Sequence, residues 1–225
     1  MLTIAEELLL LALDDEKGNI VFSAANSLGY GLAGAILSEL TLEERITLEG
    51  KKVVITNDAP LEDKVLNRIA SQIKDSAKSR SPRSWIERLN KTELRKELLQ
   101  RLVEKGILQE KEEKVLGIFT RRRYPESQGA PEHSIRTRIQ ECLDGSREPD
   151  ARTTMLLGLI KACNLVGEIV PKKEKRVVEK QIEQMMKNNP YSKAVKASVD
   201  AMQAAIIAAC VAASASAASS SSGST

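Results

Sequence analysis

The chain has 225 residues, of which 42% are hydrophobic, so it is long enough to bury a core and falls in the size range of one domain. Its net charge of +3 is too small to identify a partner, and its three cysteines have neither disulfide-framework nor metal-ligand spacing, which indicates a reducing compartment. The charge is uneven: residues 1–50 carry two basic against nine acidic side chains, whereas residues 78–138 carry sixteen Lys and Arg against nine Glu. The middle of the chain is therefore the candidate anion-binding part.

The first predicted element is a buried helix. Thr3 and Glu6 have the spacing of a capping box, and the leucines that follow, through Leu13, cover nearly every face of a helix. The adjacent acids Glu6 and Glu7 are expected to be solvated, as neighbouring carboxylates on a helix usually are.

Hydrophobic periodicity, β-branched runs and breaks at glycine or proline place the other elements. The predicted strands are Ile20–Phe22, a first hairpin of Ile46–Leu48 and Val53–Ile55, and a second hairpin of Ile107–Leu108 and Val115–Thr120 joined by the charged segment Gln109–Lys114. The predicted helices cover residues 26–40, 61–74, 84–87, 94–105, 131–143, 150–169, 172–188 and 191–217. The pattern predicts a mainly α, single compact helical domain over residues 1–218 with a disordered Ser/Gly/Thr tail at 219–225.

No segment has the features of a secretory signal or a strong membrane span. The first seven residues carry two carboxylates and no basic side chain. The most apolar stretch, Ala201–Ala218, is alanine-rich and contains Gln203 and two serines, whereas a spanning helix needs roughly 20 strongly apolar residues. We expect a cytoplasmic protein whose membrane contact, if it has any, is peripheral.

The sequence offers no catalytic constellation. His133 is the only histidine, and no serine or cysteine motif provides it with a partner for nucleophilic catalysis, so it is predicted to lie on the surface. The acids are not accompanied by a nucleophile, a metal-ligand set or a phosphate-binding loop. The protein is therefore predicted not to be an enzyme and to use no cofactor and no metal.

A glycine-rich segment must be tested as a nucleotide-binding motif. Gly29–Gly34 matches G-x-G-x-x-G and lies at the start of a predicted helix. The next predicted element is an antiparallel hairpin instead of the second parallel strand of a dinucleotide-binding unit. The glycines are therefore predicted to let another helix approach closely.

The densest cationic run is Arg121, Arg122 and Arg123, followed by Tyr124, where the chain leaves the second predicted hairpin. Three guanidinium groups offer planar, bidentate donors suited to phosphate. Arg95, together with upstream arginines at 80, 83 and 88, would extend this basic surface if the fold brings them together. Two alternatives stay open: a solvated arginine run with no ligand, and a winged-helix-like nucleic-acid-binding protein, although the mixed charge of the preceding helix suits a major groove poorly.

Several segments together resemble the Golgi phosphoprotein 3-like family. They occur in that family's order and spacing: Leu2–Leu13, Gly31–Leu40, Leu102–Leu108 and Arg121–Pro125, the last in the version of bacterial members. The resemblance spans about Leu2 to Val170. It implies a helical domain around a central hydrophobic helix, for which Thr153–Val170 is the candidate, with two short β-hairpins of which one protrudes.

The resemblance also implies a function. Members are non-catalytic peripheral membrane adaptors; eukaryotic ones bind the headgroup of phosphatidylinositol 4-phosphate and the cytosolic tails of membrane proteins. Of the family's cationic pocket only Arg95 remains, because Ser23 replaces a tryptophan and Ala33 and Thr92 replace arginines. The hairpin segment Glu110–Lys114 is charged where eukaryotic members are apolar.

These departures favour binding to anionic phospholipid in general over that one lipid. The predicted headgroup-binding residues are Arg95, Arg121, Arg122, Arg123 and Tyr124. A homo-oligomer formed through the hairpin stays open.

Overall fold

The computed structural model describes residues 1–14, 17–115, 119–127, 130–188 and 193–220. Their elements are, in chain order, α1 Ile4–Leu11, a 3₁₀ turn at Phe22–Ala24, α2 Leu28–Leu42, β1 Ile46–Glu49, β2 Lys52–Ile55, α3 Lys64–Lys74, α4 Pro82–Leu89, α5 Thr92–Glu104, β3 Lys111–Val115, β4 Phe119–Arg123, α6 Ala130–Leu143, α7 Ala151–Ala162, α8 Val166–Ile169, α9 Lys175–Asn188 and α10 Lys193–Ser220. The strands form two separate antiparallel hairpins. The mainly α prediction with two short hairpins is confirmed.

α1 is buried on every face. Its first turn is closed by a capping box, in which the Glu6 amide donates to Thr3 Oγ1 at 3.2 Å and the Thr3 amide donates to the Glu6 carboxylate at 2.8 Å. All eight of its residues are buried, including Glu6 and Glu7. The expectation that these two acids are solvated is wrong, because the rest of the protein covers the polar side chains of α1 as well as its leucines.

Basic side chains from other helices neutralise the two buried carboxylates. Lys105, which follows α5, places its Nζ 2.7 Å from a Glu6 oxygen. Arg138 of α6 pairs with Glu7. An uncompensated buried charge costs several kcal/mol, so α1 is stable in this position only with α5 and α6 packed beside it.

Glu39 of α2 joins the same network. Its carboxylate accepts a hydrogen bond from the Ile4 amide at 2.7 Å and pairs with Arg152 of α7, which also lies 3.8 Å from Glu7. Burial raises the pKa of Glu39, and Arg152 and the Ile4 amide offset only part of that rise. The start of α1 is thereby fixed to both α2 and α7.

α2 lies at the centre of the helices and contacts α1, α4, α7 and α10. Its glycines permit the close approach: a Cβ at Gly34 would lie 2.5 Å from Ile206 Cγ1 of α10, and one at Gly31 would overlap the Cys163 sulfur. The packing role predicted for this glycine-rich segment agrees with the structure. α2 therefore takes the central position that was expected of Thr153–Val170.

The candidate at 153–170 is two helices. Its first part, in α7, is buried from Thr153 to Ile160. The chain then adopts a positive φ of 61° at Asn164, which ends α7 before α8 begins. Asparagine tolerates this left-handed conformation better than most residues. The hydrophobic pattern continues through this position without interruption, so the sequence does not indicate that the helix ends here.

α10 contains the one segment of the described chain with the length and composition of a membrane span, Ala197–Ala215. Its inner face packs on α2, α4 and α7, where Val199, Met202, Ile206 and Cys210 are buried. A core helix meets the same criterion, so length and composition are weak evidence for spanning. The helix continues to Ser220, two residues into the predicted tail, and 221–225 lie outside the described residues.

Two predicted elements near the N-terminal half need correction. Ile20 forms only a single bridge with Leu13, and the 3₁₀ turn starts at Phe22, so Ile20–Phe22 is not a strand. The short helix around Trp85 begins at Pro82, not at Ser84, with Ser81 as its N-cap. Proline is favoured in the first helical turn because its missing N–H needs no partner there.

The second hairpin is shifted along the chain relative to the prediction. Most of the segment predicted as its loop forms β3, Leu108 makes only an isolated bridge with Glu126, and the predicted strand residues 116–118 lie outside the described part. The arginine run lies inside β4 instead of after it, with Arg122 opposite Glu112 and Arg121 opposite Glu113. Oppositely charged pairs across strands stabilise a hairpin, which explains this register.

Asp63 connects α3 to the buried network. Its carboxylate caps α3 by accepting from the Val65 and Leu66 amides at 2.9 and 3.0 Å, and it accepts from Arg101 Nη1 at 2.9 Å. Arg101 Nε lies 3.3 Å from Glu6. Burial acts to raise the pKa of Asp63, but the hydrogen bonds from Arg101 and the two amides outweigh it and hold the pKa below its usual value.

Gly34→Leu is expected to lower the free energy of unfolding by about 1–3 kcal/mol, because the added side chain forces α2 away from Ile206. Gly167→Ala is the control, since a Cβ there meets no atom within 4 Å. Urea unfolding of both variants measures the difference. An undiminished stability of Gly34→Leu would show that the contact between α2 and α10 is not tight.

Asp63→Asn keeps a side-chain cap for α3 but removes the charge that Arg101 needs. We expect a loss of roughly 1–3 kcal/mol near neutral pH. A carboxyl group whose folded pKa is depressed contributes stability above its unfolded pKa of about 3.9 and loses it as pH falls through the folded pKa. The difference between wild type and variant in urea unfolding should therefore shrink in acid; a constant difference would contradict the assignment.

Candidate functional site

The second hairpin extends away from the helices. Among the described residues, β3 and β4 pack mainly on each other. Its base is fixed where the Tyr124 amide donates to the Gly18 carbonyl at 3.0 Å and the Gln109 amide donates to the Pro125 carbonyl at 2.9 Å. Gly18 has a φ of 59°, and a Cβ there would overlap the backbone of Tyr124, so this contact requires glycine.

The arginines of β4 face carboxylates of the partner strand. Arg122 is 61% exposed and lies 3.0 Å from Glu110 and 3.7 Å from Glu112. Arg123 pairs with Glu113. The side chain of Arg121 lies outside the described part. The hairpin is therefore less positive than its arginine run suggests.

The other predicted residues lie apart from one another. Arg95 is in the first turn of α5, about 14 Å along that helix from the end that leads into the hairpin. Arg95 forms no ion pair with any residue that the structure describes. Tyr124 is half-buried at the base of the hairpin.

The family pocket positions named above carry no positive charge in this fold. Ser23 Oγ donates a hydrogen bond to Glu168 at 2.8 Å, which places an acid beside that position. Ala33 is fully buried in α2, and Thr92 is exposed at the start of α5. These three residues offer no cationic pocket for a phosphate.

Phe22 marks a surface that the sequence analysis missed. Its side chain is 95% exposed in the 3₁₀ turn before α2. Large apolar side chains that are this exposed are uncommon, and a group of them marks an interaction surface. Val177, near the start of α9, is also exposed, and that segment is linked to the turn.

Hydrogen bonds bring these parts of the chain together. The Ser27 carbonyl, three residues after the turn, lies 3.9 Å from the Cys163 sulfur and 3.7 Å from the Cys210 sulfur, so the end of α7 and α10 both reach the start of α2. Asn164 Nδ2 donates to the Ser23 carbonyl at 3.3 Å.

Lys175 Nζ donates to Asn164 Oδ1 at 2.6 Å, which places the start of α9 beside the turn. We call the resulting surface the Phe22 end, made of Phe22, Lys172, Lys173, Lys175, Arg176 and Val177.

The Phe22 end is cationic as well as apolar. Residues 172–176 carry four basic side chains and one acid, Glu174. Lys173 lies 3.7 Å from Glu174 and Lys175 lies 3.9 Å from Glu179, whereas Lys172 and Arg176 form no ion pair with a described residue. The basic residues at 172–176 are visible in the sequence, but their proximity to Phe22 depends on contacts between residues that are about 150 positions apart in the chain.

The upstream arginines of the predicted basic surface behave differently from one another. Arg80 and Arg88 line a cleft between α3 and α4 together with Arg68 and Lys78. Arg83 is not part of the cleft lining and pairs with Glu87 at 2.9 Å.

The described residues offer no catalytic or metal site. His133 is exposed, as predicted, and no group of three or more His, Cys, Asp or Glu side chains in the described chain is placed to hold a metal ion. A hydrogen bond with Cys210, together with burial, raises the pKa of Cys163 well above its usual value. A thiol that stays protonated is a poor nucleophile.

The fold is thus a mainly helical domain built around a fully enclosed first helix, with cationic surfaces and, within the described residues, no catalytic constellation. A family model described as Golgi phosphoprotein 3 (GPP34) matches residues 4–202. The protein belongs to this family, as the resemblance of its helix and hairpin segments predicted.

Proposed function

We propose that this protein is a non-catalytic peripheral membrane protein that binds anionic phospholipid surfaces through the Phe22 end. The observation that carries the proposal is a nearly fully exposed phenylalanine whose neighbour Ser23 is linked through Asn164 to Lys175, in a segment, residues 172–176, that carries four basic side chains. Membership of the Golgi phosphoprotein 3 (GPP34) family supports it. A bilayer interface accepts an apolar side chain and attracts cations at the same depth.

The energetics predict reversible binding. Each Lys or Arg held near an anionic leaflet contributes about 1 kcal/mol, and this term falls off within a Debye length. Full burial of a phenylalanine side chain contributes about 1.5–3 kcal/mol, of which an interfacial contact gains only part. A few cations and one aromatic anchor therefore give salt-sensitive attachment and not permanent insertion.

The lipid class that fits is anionic phospholipid in general. Recognition of phosphatidylinositol 4-phosphate through the family positions gains no support from Ser23, which is bonded to Glu168. We propose the exposed arginines of β4, with Tyr124 at the hairpin base and Arg95 on α5, as a second and weaker contact. Binding of cytosolic tails of membrane proteins and a homo-oligomer through the hairpin stay predictions.

Nucleic-acid binding is less favoured by the geometry. The arginines of a DNA-binding wing need to be available to phosphates, but Arg122 and Arg123 pair with carboxylates of β3. The exposed side of α5 includes Glu93 and Gln100 beside Lys96, which gives no uniform positive face.

Changing Phe22→Ser together with Lys172→Gln and Arg176→Gln is expected to reduce binding to vesicles rich in phosphatidylglycerol by at least tenfold, because it removes the apolar anchor and two unpaired cations. Co-sedimentation with these vesicles and with neutral phosphatidylcholine vesicles gives the measurement.

The matched control is Lys51→Gln with Lys52→Gln. These exposed lysines lie in the first hairpin. The hairpin follows the C-terminal end of α2, and this 15-residue helix, about 22 Å long, has its other end next to the Phe22 turn. An equal loss from the control would mean that net charge, not the Phe22 end, determines binding. A DNA mobility shift at the same salt concentration, without vesicle binding, would replace the proposal with the nucleic-acid alternative.

The proposed contact between the second hairpin and the lipid is tested by two opposite sets of substitutions. Replacing Glu110, Glu112 and Glu113 with Gln frees the β4 arginines and should strengthen binding to anionic vesicles several-fold, whereas replacing Arg121, Arg122 and Arg123 with Gln should weaken it. If both sets leave binding unchanged in the co-sedimentation assay, the hairpin does not touch the lipid. Circular dichroism checks that the helical domain is intact in each variant.

A further inference from the structure

A cleft of about 780 Å³ lies between α3 and the segment that leads into α4. Its cationic lining residues are Arg68, Lys78, Arg80 and Arg88. Asp75 is the one acid in this lining, so the walls carry a net charge of +3. This volume is in the range of sites that enclose small ligands.

Arg80 is held in a fixed position. Its carbonyl accepts a hydrogen bond from the Val53 amide at 2.8 Å, and its guanidinium carbon lies 5.9 Å from the centroid of the Trp85 ring. Trp85 is only 1% exposed, so the ring is a rigid support. At this distance the guanidinium makes a cation–π contact with the ring, which favours one orientation of the Arg80 side chain.

Three of the four cations keep their charge available. Arg68 pairs with Glu97, but Lys78, Arg80 and Arg88 form no ion pair with the residues that the structure describes. The C-terminal end of α3 and Asp75 oppose an anion here. Three unpaired cations against one carboxylate leave the cleft attractive to a compact dianion.

We infer that this cleft binds a phosphate monoester. A monoester carries a charge of about −1.5 to −2 near neutral pH and three acceptor oxygens, which suits several cations around a concave site better than the single charge of a phosphodiester. Ser71, in the last turn of α3, also lies in the lining, but its hydroxyl donates to the Asn67 carbonyl at 3.0 Å, so the cations are the donors for the ligand. The inference concerns a second site and does not rest on membrane binding through the Phe22 end.

The only tryptophan of the chain reports on this site. Because Arg80 packs on Trp85, a ligand that engages the guanidinium changes the intrinsic fluorescence. Glycerol phosphate is titrated into the full-length protein, with dimethyl phosphate, a singly charged diester, at the same ionic strength as the reference. We expect a saturable change with the monoester that the diester does not reproduce at equal concentration.

Lys78→Gln with Arg88→Gln tests the assignment, since both residues are exposed and their loss should leave the fold intact. Affinity for glycerol phosphate should fall at least tenfold. Arg83→Gln is the matched control, because Arg83 lies on the same helix as Arg88, is exposed, and points its charge to Glu87 instead of lining the cleft. The control should bind as the wild type does.

Binding to vesicles of two compositions distinguishes a soluble ligand from a lipid headgroup. Phosphatidic acid carries a phosphomonoester and phosphatidylglycerol a phosphodiester, so a preference for phosphatidic acid that the Lys78 and Arg88 changes abolish assigns the site to a headgroup. Saturation by glycerol phosphate without that preference assigns it to a soluble monoester. An equal loss in Arg83→Gln, or neither saturation nor preference in the wild type, overturns the inference. The Phe22-end variant should retain glycerol phosphate binding, so failure of this site and failure of the membrane proposal give different results.

Discussion

The fold depends on the enclosure of a helix that carries two carboxylates. α1 is buried on all its faces, yet Glu6 and Glu7 lie in it, and a buried charge without a partner would outweigh much of the apolar gain. Four basic side chains from later parts of the chain neutralise the two carboxylates: Lys105, Arg101, Arg138 and Arg152. Because these cations come from α5, α6 and α7, neutralising α1 also determines which helices surround it. The leucines of α1 provide the apolar contacts with the surrounding helices, and the two carboxylates determine which helices those are.

The same arrangement separates the interior from the surfaces proposed to bind anions. The cations that face α1 are already paired with carboxylates, so they contribute nothing to an external ligand. Of the cations at the start of α9 and around the cleft beside α3, Lys172, Arg176, Lys78, Arg80 and Arg88 form no ion pair with a described residue. Counting net charge along the sequence therefore overstates how much Arg101 contributes to binding an anion, and it understates the contribution of Arg176. Arg122 and Arg123 of β4 lie between these cases, since Arg122 is exposed and Arg123 partly exposed, but both are paired with glutamates.

The two proposed anion sites differ in shape, and shape decides their ligands. The Phe22 end presents an exposed aromatic ring and exposed basic side chains, a combination that suits an extended, laterally mobile surface such as a bilayer. The cleft is concave and holds Arg80 against a buried ring, which suits a small, highly charged group. The proposed bilayer contact does not use Ser23, Ala33 or Thr92, the positions at which the resemblance implied a cationic pocket.

Local signals in the sequence determined most of the secondary structure and the family. The capping box at Thr3, the glycine turn of the first hairpin and the glycine after α5 act within a few residues, so they can be read without the fold. Long-range contacts decided the rest. The burial of Glu6 and Glu7, the pairing that put the arginine run inside β4, and the meeting of Phe22 with α9 all join residues whose proximity no local pattern encodes. A charged side chain reads the same in sequence whether it faces water or an opposite charge; only the tertiary structure shows which, because the partner that decides its energy comes from a distant part of the chain.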